Sequence, residues 1–150
     1  MKIVNRKFRR NFQEVEKYEA GIVLLGPEVK VVKQRGLRLD DAYVKLIDGE
    51  PYLLNAEIPA YKYASRKDYD PKRSRKLLLH KKELVRIQTK LKGGSGLTIA
   101  PISCYNKGDL IKLEIAIARG RKDVEKRKQE RRKAIERQLE REVKGDVGYR

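Results

Sequence analysis

Between residues 43 and 54 the sequence leaves the backbone little choice. Tyr43-Val44-Lys45-Leu46-Ile47 and Pro51-Tyr52-Leu53-Leu54 flank Asp48-Gly49. Asp-Gly suits a type I′ turn, whose two central residues take positive φ and whose twist matches that of paired strands. A β-hairpin across 41–55 is the consequence. A second hairpin is expected where 97–105 and 110–118 flank Asn106-Lys107-Gly108-Asp109. There Ile111, Leu113, Ile115 and Ile117 alternate with Lys112, Glu114 and Ala116, the period-two pattern of a half-buried strand. Pro101 sets its strand at an edge or a bulge. Strands that arrive as hairpins build a mostly antiparallel sheet.

The segments between them add strands and short helices. Tyr18 to Leu25 ends in an apolar run that suits a strand covered on both faces, and Gly21 within it suggests a bulge or bend. Gly26-Pro27 stops that strand, and Pro27 fits the first position of a short helix over about 27–35, with Gly36 at C′. Residues 56–69 lose periodicity and read as a loop. Its Tyr61, Tyr63 and Tyr69, interleaved with Lys62, Arg66 and Lys67, either stack on bases or pack the loop onto the body. Leu77 to Leu91 reads as an amphipathic helix with Leu77, Leu84, Ile87 and Leu91 on one face. Lys92-Gly93-Gly94-Ser95-Gly96 is a flexible connection without the lysine and hydroxyl spacing of a Walker A loop. The sum is a mainly β protein with a few short helices: an OB-fold-like antiparallel β-barrel of about six strands.

Charge then decides what such a barrel can meet. Among 150 residues, 38 Lys+Arg face 21 Asp+Glu, a formal +17. That excess repels itself unless a polyanion offsets it. The densest stretch is Asp70-Pro71-Lys72-Arg73-Ser74-Arg75-Lys76-Leu77-Leu78-Leu79-His80-Lys81-Lys82. Its cations read as a loop pinned to a core by the leucines after them, and a pinned loop positions a phosphate where a loose tail only attracts one. His80 is either a surface residue at a helix start or an RNA contact. Residues 1–10 carry five cations and no acid, reading as a solvated terminus or as a basic arm anchored by Phe8 or Phe12. Residues 119–150 hold thirteen cations and seven acids. Their shortage of large apolar residues predicts a basic tail, separate from the 1–120 body, that is flexible alone and helical on a partner.

Other functions fit poorly. His80 is the sole histidine and Cys104 the sole cysteine, so zinc chemistry and disulfides are not expected. Lys81 and Lys82 beside His80 disfavour the imidazolium a general base must form, so no enzyme and no cofactor are expected. Cys104 reads as a core residue. No apolar run is long enough to span a bilayer and no signal peptide is visible. A cytoplasmic, monomeric protein without a membrane partner is expected. With no helix-turn-helix pattern, RNA fits better than DNA.

Several motifs then fall in one order. Asn5-Arg6-Lys7, Tyr18-Glu19-Ala20-Gly21-Ile22, Gly26-Pro27-Glu28-Val29-Lys30, Asp70-Pro71-Lys72-Arg73-Ser74-Arg75-Lys76-Leu77-Leu78-Leu79 and Ala118-Arg119-Gly120-Arg121-Lys122 resemble the motifs of the SmpB family of tmRNA-binding (SsrA-binding) proteins. The resemblance spans about 5–127. It implies an OB-like barrel on the tRNA-like domain of tmRNA. It also implies delivery, with EF-Tu after charging by alanyl-tRNA synthetase, to ribosomes stalled without a stop codon. The tail would enter the empty mRNA path and the 16S rRNA decoding centre. By position, Asn5, Glu19, Leu78 and Lys112 match family residues implicated in tmRNA binding. Glu125-Lys126-Arg127 matches the tail's Asp-Lys-Arg.

The expected RNA contacts are therefore Asn5, Arg6, Lys7, Glu19, Lys72, Arg73, Arg75, Lys76, Leu78, His80, Lys112, Arg119, Arg121 and Lys122. The expected ribosome contacts are Glu125, Lys126, Arg127, Arg131, Arg132 and Lys133. Glu19 accepts from a base edge, orients cations, or is a buried ion-pair partner. Leu78 reads first as core, and Lys112 as solvent-side. A structural OB-type ribosomal or assembly protein is the alternative.

Overall fold

The computed structural model describes residues 1–64, 67–121 and 123–145, with side chains in the last segment described over 130–142. The chain divides into two compact units, Met1–Gly120 and Arg121–Arg150.

The first unit contains β1 (Lys2–Val4), α1 (Phe8–Asn11), β2 (Phe12–Ile22), α2 (Gly26–Lys33), β3 (Tyr43–Ile47), β4 (Glu50–Leu54), β5 (Arg75–Leu78), α3 (Lys81–Gly93), β6 (Leu97–Lys107) and β7 (Leu110–Gly120). Every strand pair is antiparallel. The strands run β1-β6-β3-β4-β5-β2-β7, and β6 also pairs with β7. Six strands thus return on themselves as a barrel-like sheet, with β1 laid on the outer side of β6. Both hairpins form where expected. Asp48 and Gly49 take φ of 53° and 77°, as a type I′ turn requires.

Leu53, Leu77, Ile99, Leu113, Ile115 and Ile117 fill the core with Val32 from α2 and Ile87 from α3. Cys104 is buried with them, and burial pushes its thiol up to about 12. On the other face of β7, Ala116 and Ala118 are also buried, under Phe8 of α1. The Phe8 and Phe12 rings lie tilted against each other with centroids 5.6 Å apart. The N-terminal segment is therefore no loose arm: β1 pairs with β6 over Lys2–Val4, and Phe8 pins α1 to the sheet.

The bulge expected at Pro101 forms, and three other sequence expectations shift. Bulges sit between Glu14 and Glu16 and between Pro101 and Ser103; the second comes just after the proline that cannot complete the ladder. Gly21 has no bulge but is where β2 passes from β7 to β5, pairing with both Lys112 and Leu78. Leu77-Leu78-Leu79 does not start a helix. Arg75–Leu78 is a strand with Arg75 and Leu77 inside, and α3 begins at Lys81. Helix α2 ends with Arg35, not Gly36, in the left-handed region, at φ 64°. The Gly36 N–H donates to Val31 O (2.9 Å) and the Arg35 N–H to Val32 O (2.9 Å), a Schellman closure. Gly36 is instead required by space, because a Cβ there would collide with the Val31 side chain.

Among the described residues, the second unit holds one helix, α4 (Asp123–Gly145). The segment expected to order only on a partner is helical here. Ile135 and Leu139 lie one turn apart and are 53% and 54% exposed.

Candidate nucleic-acid interface

The basic loop is built around one buried carboxylate. Glu28 lies in the first turn of α2 and is 2% exposed. Its Oε1 accepts the Leu25 N–H (2.8 Å) and Arg73 Nη2 (2.5 Å). Its Oε2 accepts Arg73 Nε (3.2 Å) and Arg75 Nε (3.0 Å) and Nη2 (2.5 Å). The Tyr69 hydroxyl lies 2.9 Å from Glu28 Oε2 and 2.7 Å from Ile58 O. Arg75 completes its fork with Ala56 O (2.7 Å) and Pro71 O (3.1 Å). Burial alone would raise the Glu28 pKa; the hydrogen bonds from Arg73, Leu25, Arg75 and Tyr69 outweigh it and bring it down to about 2. Two guanidinium groups share one anion, so the 70–75 segment is fixed and carries a net positive charge. Asp70 tightens it by accepting the Lys72 N–H at 2.9 Å.

This corrects the reading of Arg75, which was expected at an RNA surface. It is fully buried, and its guanidinium is consumed by Glu28 and two carbonyls. Arg73 is turned the same way with 30% of its side chain exposed. Lys72 is exposed, and Lys76 reaches Glu50 at 3.1 Å. His80 is exposed ahead of α3, and its N–H donates to Glu83 Oε1 (3.1 Å).

A second set of groups meets on the outer sheet surface. Strand register aligns Leu78 with Gly21, Gly21 with Lys112, Lys112 with Tyr105 and Tyr105 with Lys2. Residues directly opposite one another share a face, so five strands contribute to one row. Glu19 and Lys107 stand two residues along from Gly21 and Tyr105, on the same face. The Tyr105 hydroxyl donates to Glu19 Oε2, and Lys107 Nζ lies 3.4 Å from Oε1. The hydrogen bond from Tyr105, then the charges of Lys107 and Lys112, lowers the Glu19 pKa. Burial, then Glu19 itself, pushes the Tyr105 hydroxyl up to about 12. At neutral pH the row therefore offers a carboxylate acceptor, steadied by a phenol that donates to it, and ammonium groups. Gly21 lets the Leu78 side chain pack directly against the β2 backbone: a Cβ there would stand 3.3 Å from Leu78 Cβ.

Of the expected residues, Glu19, Leu78 and Lys112 come together here. Leu78 is not core: it is 55% exposed, because Leu77 takes the inward position. Lys112 alternates with buried Ile111 and Leu113 and faces outward. Asn5 is not on this row and is buried. Its Nδ2 donates to Pro101 O (2.9 Å) and its Oδ1 accepts the Lys7 N–H (3.2 Å), so it fixes the turn that exposes Arg6 and Lys7. Lys7 Nζ is 3.6 Å from Asp41. Arg119 is exposed near the end of β7. Arg121 is half-buried and partnered. Arg131, Arg132 and Lys133 are exposed on α4. Lys122 and the side chains of Glu125, Lys126 and Arg127 lie outside the described residues.

Three groups carry roles that the sequence reading did not assign, Glu28, Tyr105 and Lys107, whereas Tyr69 takes one of its two expected roles and packs the loop, against Glu28 and Ile58 O. Glu28 had a signal, a glutamate three residues after Leu25 and ahead of an apolar helical face, where a carboxylate reaches back to the first N–H. Counting back from the Gly108-Asp109 turn would have set Tyr105 opposite Lys112. Among the described residues no group of three or more His, Cys, Asp or Glu side chains could hold a metal ion. No described helix is long and apolar enough to cross a membrane.

These features define a class: a small basic protein whose antiparallel, barrel-like sheet carries a fixed cationic loop and one mixed face of lysine, tyrosine and glutamate. The comparisons narrow it. The family model described as SmpB protein matches residues 2–145, and the chain belongs to that family. An SsrA-binding protein of Dehalococcoides mccartyi is 45% identical over 140 residues, covering 93% of this chain and 81% of its own. One from Aquifex aeolicus is 41% identical over 144 residues, covering 95% and 91%. A solved chain described under "tmRNA-SmpB: a journey to the center of the bacterial ribosome" is 39% identical with a TM-score of 0.66. It covers 81% of this chain and 85% of its own.

Proposed function

We propose that this chain binds the tRNA-like domain of tmRNA, the SsrA RNA, and delivers it to stalled ribosomes. The observation that carries the proposal is the convergence of Glu19, Leu78 and Lys112 on one outer row in a relative of SsrA-binding proteins. Lys112 and Lys107 meet phosphate there. Glu19 supplies a carboxylate acceptor for a 2′-hydroxyl or base edge, held in place by the Tyr105 hydroxyl that donates to it. The exposed Leu78 side chain, packed across Gly21, offers a ribose an apolar contact. Structured RNA is read through such shape, phosphate and 2′-hydroxyl contacts.

Lys72, Lys76, Arg6, Lys7 and His80 add further polar and cationic contacts, and Arg119 adds one at the other end of β7 from Lys112. Arg73 and Arg75 act from beneath by fixing the loop, and Asn5 by fixing the N-terminal turn. Helix α4, with Arg131, Arg132 and Lys133, works apart from RNA capture, in the vacant mRNA path and decoding centre. EF-Tu and alanyl-tRNA synthetase meet this chain only through alanylated tmRNA. The role is binding and placement in the cytoplasm, as a monomer, rather than catalysis.

Titration of the tRNA-like domain at several salt concentrations tests the first half. Each phosphate contact contributes about 0.7–0.9 to the slope of log K against log salt. Affinity no better than for an unrelated folded RNA of equal length refutes it. A chain ending at Gly120 should keep RNA binding and lose peptide tagging on stalled ribosomes. Loss of both refutes the division of labour.

A further inference from the structure

A concave feature remains that the outer row does not use. Between the start of α2 and the loop after Ile58 lies a small, mostly apolar cleft lined by Leu25, Pro27, Pro59 and Tyr61 together with Glu28 and Tyr69. The carboxylate of Glu28 and the hydroxyl of Tyr69 are already engaged with Arg73, Arg75 and the backbone. What they leave exposed is ring and apolar wall rather than hydrogen-bonding groups. Tyr61 and Tyr63 meet edge to face at 5.3 Å. Lys30 Nζ lies 5.3 Å from the Tyr61 ring centre, and Lys62 Nζ lies 4.9 Å from that of Tyr63. A flat apolar seat with two ammonium groups beside it complements a planar group that carries its own negative charge. A neutral peptide would fill the seat and leave the cations unpaired.

We propose that this cleft seats one unstacked nucleotide of the bound RNA, its base against Tyr61 and its phosphate against Lys30 and Lys62. Every base has a π-face, so the contact is indifferent to base identity and adds affinity rather than sequence selection. It is a second foothold beside the fixed 70–75 loop, which borders the cleft through the Glu28–Tyr69 network.

The inference rests on the RNA-binding reading, and the test separates the two. The full chain is mixed with the tRNA-like domain of tmRNA, irradiated to cross-link bases to aromatic side chains, digested and mapped by mass spectrometry. A nucleotide adduct on Tyr61 or Tyr63 is expected. Tyr61→Ala should weaken binding by about 5- to 100-fold, the range expected from losing one base–aromatic stack. Tyr61→Phe should recover most of that loss. Lys30→Gln should lower the salt slope by about 0.7–0.9. Tight binding with no adduct in the 59–64 segment, or with Tyr61→Ala folded and at full affinity, overturns the cleft alone. Failure of the unaltered chain to prefer this RNA overturns the reading beneath it. Should Tyr61→Ala not fold, the cross-link map of the unaltered chain decides.

Discussion

Replacing Glu28 by glutamine keeps the shape of the side chain and removes the charge that holds Arg73 and Arg75. The cost can be reached in two ways. The fall of the Glu28 pKa from 4.5 to about 2 converts, at about 1.4 kcal/mol per pKa unit, into about 3 kcal/mol of stability. Independently, removing one partner of a buried ion pair strands the other charge and costs about 3–5 kcal/mol. Arg75 is such a partner, with no exposed side-chain surface. Linkage sets the sign. A carboxyl whose folded pKa is depressed contributes its full stability above about pH 4.5, and that stability is lost as the pH falls toward 2. Urea unfolding of the unaltered chain and Glu28→Gln at pH 7 should therefore differ by about 3 kcal/mol, and the gap should shrink steadily between pH 5 and 2. A gap under about 1 kcal/mol at pH 7, or one that does not change over that pH range, refutes the claim that this carboxylate is the loop's anchor. RNA affinity of the variant should also drop at pH 7, because residues 70–75 lose their fixed position.

Three further outcomes rest on local geometry. Arg35→Gly should raise stability by about 1 kcal/mol in urea unfolding, since it removes a left-handed non-glycine residue from the end of α2; a loss would mean that the arginine side chain matters more than its φ. Gly21→Val should cost about 1–3 kcal/mol of stability by overpacking against Leu78 and weaken binding of the tRNA-like domain at least about tenfold, because Leu78 is pushed from its place in the row. Unchanged binding would remove Gly21 from the interface. Cys104 should resist iodoacetamide at pH 8 in the native protein and react at once in denaturant, as burial and a thiol pushed up to about 12 require; rapid native labelling would refute its burial.

How much of this was legible depended on whether the cause was local. The Asp48-Gly49 turn and the alternation from Ile111 to Ile117 carry their meaning within a dozen residues, and they are enough to dictate both hairpins. Strand β5 is different. Its inward positions are Arg75 and Leu77 and its outward ones Lys76 and Leu78, so a buried cation and an exposed leucine erase the hydrophobic alternation that would have revealed it. Only the partner explains the buried cation, and Glu28 lies 47 positions away. Asn5 misleads in the same manner, since a polar residue with basic neighbours reads as surface until Pro101 O is known to receive it. Charge excess announced a polyanion partner but not which cations face it. Which cations share an outer row is set by register across β5, β2, β7 and β6, which no stretch of the sequence contains.

The closure of the six strands also bears on how the chain reaches its fold. Strand β2 pairs with β7 from Phe12 with Gly120 to Gly21 with Lys112, so the seam joins segments about a hundred residues apart. Bringing such distant ends together costs about 4 kcal/mol in chain entropy before any contact repays it, and topologies of this kind fold slowly. A nascent or truncated chain lacking β7 would leave β2 and β6 with bare hydrogen-bonding edges, open to pairing with other molecules. Completion of the last strand is thus the step that converts a sticky intermediate into a self-contained body.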